Sequence, residues 1–255
     1  MKRALAVALF LAAPALGQPD DGLYAQGRYQ AAIRTAVALN SAHGYSDAAR
    51  ATLADEATRD ERCLACLKNA EDFARRAIAA DRDRTDAYVY LAITLGLESR
   101  VEGYEEAIRK GYAGEAKRAL DAALKSDPGD PWALAAMGGW NIEVVRGGGP
   151  VLALLLYGAS VEKGRKYFAQ ALRKAPDNIA IRYQYGLTLA GYDPKRYRRE
   201  IEDSFAHVAS GSAATAYDRL MQKRAGELQG LLRDDDGSFA ARVRAYEGYL
   251  TTPAG

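Results

Sequence analysis

Small side chains recur along this chain at a fixed spacing, and that spacing constrains the fold more than any other feature. Three segments carry it: AEDFARRAIAADRDRTDAYVYLAITLG, AKRALDAALKSDPGDPWALAAMGG and GRKYFAQALRKAPDNIAIRYQYGLTLAG. Each has a small residue, an apolar residue four later, an alanine three after that and a turn position five further on. The positions are Ala70, Ala74, Ala77 and Arg82; Ala116, Leu120, Ala123 and Pro128; and Gly164, Phe168, Ala171 and Pro176. A second helical stretch follows each turn with a large-then-small pair at its centre: Leu91-Ala92, Met137-Gly138 and Tyr185-Gly186. Spacings of four and three share one helix face, so these small residues mark where neighbouring backbones approach closely. A bulky side chain there would overpack the contact at a cost of about 1–3 kcal/mol. The pattern predicts an all-α solenoid of stacked helical hairpins, about ten helices and no sheet.

At 255 residues and 49% hydrophobic content the chain is long enough for a sizeable core. Its first residues, Met1-Lys2-Arg3 followed by an apolar run from Ala4 to Ala13 and the small-x-small pattern Ala15-Leu16-Gly17, read as a secretory signal peptide cleaved near Gly17. The expected location is therefore secreted, in the periplasm of a Gram-negative bacterium, with no membrane span after cleavage. Losing Lys2 and Arg3 lowers the basic count from 35 to 33, equal to the 33 acidic residues. A formally neutral chain without long like-charge blocks gives no long-range pull toward nucleic acid or an anionic membrane.

The hairpin pattern resembles the tetratricopeptide repeat, in which a proline after the second helix ends one unit. The turn positions fall 46 and 48 residues apart, against about 34 in that repeat. The surplus lies between the two helices of a pair, from Ala92 to Ala116 and from Gly138 to Gly164, so the fold class is an irregular tetratricopeptide-like solenoid with enlarged internal turns. This layout, with YAGEAKRALDAALKSDPGDPWALAAMGGWNIEVV, then LALLLYGAS and RKYFAQALRKAPDN, resembles the core of the regulator of microtubule dynamics family over residues 85 to 190. The resemblance implies a helical-repeat scaffold without catalysis. A microtubule role does not carry over to a chain expected to be secreted by a bacterium.

The expected organisation is a signal peptide over 1–17, a helical-repeat domain over 18–233 and a C-terminal helix and tail over 234–255. Before the repeats, two helices are expected to divide near His43-Gly44-Tyr45-Ser46, with Ser46 or Asp47 capping the second. After them, TAYDRLMQKRAGELQGLL reads as a capping helix, and Phe239 to Leu250 as a last helix that packs back or frays.

Motifs for chemistry are sparse. Cys63 and Cys66 form a C-x-x-C at a helix start, but the strand that precedes a thioredoxin-like motif is missing. A local structural disulfide is the favoured reading, ahead of buried free thiols, a redox pair or a metal site; no metal or cofactor is expected. There is no G-x-S-x-G, H-E-x-x-H or phosphate-cradling glycine loop. The chain is not expected to be an enzyme.

In tetratricopeptide arrays the first helix of each pair lines a concave surface. Counting its inward positions gives an apolar strip whose candidate binding residues are Val89, Ile93, Trp132, Ile142, Tyr183 and Leu187. The expected partner is a protein or peptide with an apolar segment, and the alternatives are a small hydrophobic ligand or, less favoured, C-x-x-C thiol oxidoreductase chemistry. Beside this strip lies the apolar octet Pro150–Tyr157, after Gly147-Gly148-Gly149. It either folds back to extend the core, the favoured reading, or forms a lip hinged at the glycines.

Overall fold

The computed structural model describes residues 19–234 and 237–249; the expected leader, 1–17, lies outside them. Among the described residues there are thirteen helices and no strand. The chain opens with α1 (Pro19–Ala25), α2 (Tyr29–Ala38) and α3 (Ala42–Ala57). The division between α2 and α3 falls earlier than expected. Ser41, not Ser46 or Asp47, caps α3 by accepting a hydrogen bond from the Gly44 N–H at 3.1 Å. Gly44 lies so close to α2 that a Cβ would stand 2.3 Å from the Ala36 carbonyl oxygen, so α3 must begin before it.

Four helical hairpins follow one another. Helix α3 pairs with α4 (Leu64–Ala80); α5 (Thr85–Glu102) pairs with α7 (Tyr112–Ser126), with the short α6 (Tyr104–Lys110) between them. Helix α8 (Pro131–Tyr157) pairs with α9 (Val161–Lys174), and α10 (Ile179–Tyr192) with α11 (Arg198–Ser210). The first helices of these pairs, α3, α5, α8 and α10, also touch one another and form the inner layer. The small residues of the repeat are buried where expected, from Ala70, Ala74 and Ala77 through Ala116 and Ala123 to Ala171.

The enlarged turns are mostly helix. The first is a lengthened α5 followed by α6. The second continues α8 through a kink at Gly149, whose φ of 76° and ψ of 160° suit glycine alone. Pro150 starts the segment beyond the kink, a place where its missing N–H costs nothing. The segment ends at Gly158 in the left-handed conformation, where the Gly158 and Ala159 N–H groups return to the Leu154 and Ala153 carbonyls. Among the described residues no single helix is long and apolar enough to cross a membrane; α8 and α9 would meet that test only together, across an 84° bend.

The chain then closes on its own inner surface. Helix α12 (Ala216–Asp234) packs on α10 and α11 and touches α1, while α13 (Ser238–Glu247) packs back on α10. Arg100 on α5 donates to the Glu247 carbonyl at 2.7 Å, Arg146 on α8 donates to the Glu247 carboxylate at 2.7 Å, and Tyr249 donates to Glu143 at 3.2 Å. Gly191 makes the room, because a Cβ there would stand 2.0 Å from the Glu247 carboxylate. Burial beside Glu143 raises the Glu247 carboxyl above its ordinary range, against the opposing pull of Arg146 and Arg100.

Candidate functional site

With α12 and α13 across one part of the inner surface, a cleft remains at the end where α8, α10 and α12 begin. Its volume is about 330 Å³, and Tyr24, Arg50, Tyr90, Trp132, Tyr217 and Asp218 are among its lining residues. Each wall is fixed by local structure. Asp130 caps α8 by accepting from the Ala133 N–H at 2.6 Å, which sets Trp132 in the first turn. Thr215 and Asp218 form a reciprocal capping box, at 2.9 and 3.1 Å, that holds Tyr217 at the start of α12. Asn178 caps α10 by accepting from the Ile181 N–H at 2.9 Å.

Arg50 projects from α3 across the Tyr24 ring, 4.5 Å from its centroid, and pairs with Asp21 at 2.7 Å and Asp47 at 3.3 Å. Burial works against its charge, but the hydrogen bond to Asp21 and the nearby Tyr90 and Asp47 outweigh that and raise its pKa. Its Nε is buried with no hydrogen-bond acceptor. Burial also pushes the phenols of Tyr24, Tyr90 and Tyr217 above the ordinary tyrosine range, so all three are neutral donors near pH 7. The cleft therefore offers aromatic faces and hydroxyl donors beside the Arg50 guanidinium, whose unpartnered Nε is sealed from solvent among the described residues.

The expected apolar strip needs correction. Trp132, 41% exposed, lines the cleft, and Ile93 is half-buried against α7 and α8. Val89, Ile142, Tyr183 and Leu187 are core. Val89 packs with Ala123 and Ala133; Ile142 faces α9 so closely that a Cβ on Gly164 would meet it at 2.7 Å; Tyr183 lies 6.1 Å from Phe205, ring to ring, and Leu187 belongs to the same cluster. These positions are taken up chiefly by the outer helices α7, α9 and α11, with α8 adding to the contact at Val89. On α5 the residue that lines the cleft is the next one, the partly buried Tyr90. Tyr24 and Tyr217 arrive only through closure of α1 on α12, and no repeat count could reach them.

The octet also departs from the favoured reading. Val151, Leu152, Leu154, Leu155 and Leu156 are 53–74% exposed, and only Ala153 is fully buried among the aliphatics. The segment rests on the body through Ala153 and through Tyr157, whose ring meets Trp140 edge-on at 5.7 Å. It does not extend the core.

Cys63 and Cys66 form a disulfide at the start of α4. The Cys63 sulfur accepts the Cys66 N–H at 3.1 Å, and the Cys63 N–H donates to buried Glu56 at 2.8 Å. A Glu56 oxygen and the two sulfurs lie within 4.8 Å of one another, but bonded sulfurs are poor metal donors.

Comparison with known proteins adds one match: residues 27–148 fit the model of the family described as regulator of microtubule dynamics protein 1-3. No curated protein matches the chain. The match begins well before residue 85 and ends before the LLLYGAS segment, so it supports the resemblance over 85 to 148, extends it toward the N-terminus and leaves the LLLYGAS part outside it. It also corrects the expected location. A family described by microtubule dynamics does not fit a Gram-negative periplasm. Over just under half of its length, including the segments that carry Arg50, Tyr90 and Trp132, this chain is similar to the regulator of microtubule dynamics family.

Proposed function

We propose that the chain is a non-catalytic, tetratricopeptide-like scaffold whose inner cleft holds an apolar segment of a partner protein or peptide. One observation carries the reading: Tyr24, Tyr90, Trp132 and Tyr217 line one cleft open to solvent, with Arg50 beside them. An apolar side chain of a bound segment enters among these four aromatic residues, which bury it at little entropic cost. Once the periplasmic location is set aside, the argument against a tubulin ligand lapses, and the family description makes tubulin-derived peptides the first candidates.

The test is selection of displayed peptides on the intact protein, with tubulin-derived segments in the library and Trp132→Ala as the counter-selection. Apolar peptides that bind the wild type and lose about tenfold or more in affinity for the variant support the reading, since aromatic anchors carry binding of this kind. Peptides that bind both proteins equally refute it. A small hydrophobic ligand is the second reading, favoured by a cleft volume of about 330 Å³, which falls within the small-molecule range. Native mass spectrometry of the purified protein separates the two, because a stoichiometric bound mass that Trp132→Ala abolishes selects the ligand.

A further inference from the structure

Three successive turns from an inner helix to its outer partner lie along one edge of the stack: α6, the octet with residues 158–160, and residues 193–197. The middle one exposes five large aliphatic side chains, Val151, Leu152, Leu154, Leu155 and Leu156. At 100° per residue they cover about 200° of the helix circumference, and only the face of Ala153 and Tyr157 rests on the body. From Gly147 to Ala159 the Tyr157 hydroxyl is the only polar side-chain group. An apolar projection of this kind marks a surface that is covered in use.

What surrounds it identifies the cover. Exposed Lys163 reaches back to the Gly158 carbonyl at 3.3 Å, at the end of the octet, and Lys166 follows one turn later. Tyr192 packs against the cluster that seats Ala153, which brings the adjoining turn with exposed Lys195 and Arg196, and then Arg199, to the base of the octet. None of these five cations has an ion-pair partner among the described residues. Of the neighbouring carboxylates, Glu162 and Glu200 pair with Arg165 and Glu202 with Arg198, while Asp193 accepts the Arg196 backbone N–H; with exposed Asp203 counted, cations still outnumber carboxylates here. Formal neutrality of the whole chain conceals this local excess.

We propose that Pro150–Tyr157 is an interfacial anchor that inserts its leucines at the headgroup boundary of an anionic lipid bilayer, with Lys163, Lys166, Lys195, Arg196 and Arg199 meeting the lipid phosphates. Eight helical residues reach about 12 Å, far short of the ~30 Å hydrocarbon core, so the segment lies in the boundary and does not cross. A second copy of the chain is the weaker fit, because self-association along this edge would bring the two sets of cations together. The anchor is independent of the peptide reading: it uses the edge opposite the cleft.

Flotation with vesicles tests it, using the full chain with phosphatidylcholine alone and with about one-third phosphatidylglycerol. The wild type floats with the anionic vesicles, less so in about 0.5 M salt. The Leu152→Ser/Leu155→Ser double variant, whose circular dichroism and melting stay unchanged because both sites are exposed, floats about tenfold less. Lys195→Gln/Arg196→Gln loses the preference for the anionic lipid. Failure of the wild type to float with anionic vesicles overturns the proposal, as does equal flotation of the leucine variant. It is overturned too if light scattering finds a wild-type dimer that the leucine variant abolishes, which would assign the face to a second copy.

Discussion

Gly138 on α8 and Gly164 on α9 back onto each other across the hairpin. A methyl group on Gly164 would stand 2.7 Å from the Gly138 carbonyl oxygen; one on Gly138 would stand 3.0 Å from the Gly164 carbonyl oxygen and 2.7 Å from the Phe168 ring. The helices are this close only because both positions lack a side chain. Gly138→Leu and Gly164→Ala should each destabilise the fold, by about 1–3 kcal/mol. In a chain of this size each kcal/mol lowers the melting temperature by about 2–4 °C. Thermal melts followed by circular dichroism check this, and unchanged melting temperatures would mean the hairpin register is wrong.

That contact also marks what the sequence makes legible. Gly138, Gly164 and Ala171 recur at helix-crossing spacing, and spacing is local information, so the hairpins and their order are readable. The use of each inner helix face is not local. Val89 and Tyr183 are core because adjoining helices, α7 and α8 for the first and α11 for the second, take up that face, and Tyr217 reaches Tyr24 only after the chain closes on itself. The octet shows a different limit: hydrophobicity alone predicted burial, whereas the Gly149 kink and the small contact at Ala153 leave its leucines outside. Cys63 and Cys66 were readable as a pair by spacing. Their bond is seen in the structure at the start of α4.

Closure by α13 should depend on pH through Glu247. Its folded pKa is raised, so the folded chain holds this proton to higher pH than the unfolded chain does. The stability it contributes is fully present below the unfolded value, about 4.3, and is lost as pH rises through the folded value. Melting temperatures of the wild type should therefore fall relative to Glu247→Gln as pH rises above the unfolded value. A constant difference, or a wild type that gains on the variant, would show that Glu247 is not held as described.

The Cys63–Cys66 bond closes a very short loop. Replacing both residues (Cys63→Ser, Cys66→Ser) keeps an oxygen at the cap of α4 and removes the cross-link, so the loss of stability should be about 2 kcal/mol at most. Peptide capture should be unaffected. With glutathione supplied as reductant, the wild type should not reduce a fluorescent disulfide substrate above the variant's background; turnover that the variant lacks would establish thiol chemistry in place of a structural bond.

The most direct test of the cleft is hydrogen exchange of the full chain with and without a peptide selected on it. The account predicts new protection confined to the starts of α5, α8 and α12, around Tyr90, Trp132 and Tyr217, together with the Arg50 turn of α3. Protection centred on residues 150–157 instead, or no protection under saturating peptide, would contradict an inner cleft as the place where the partner binds.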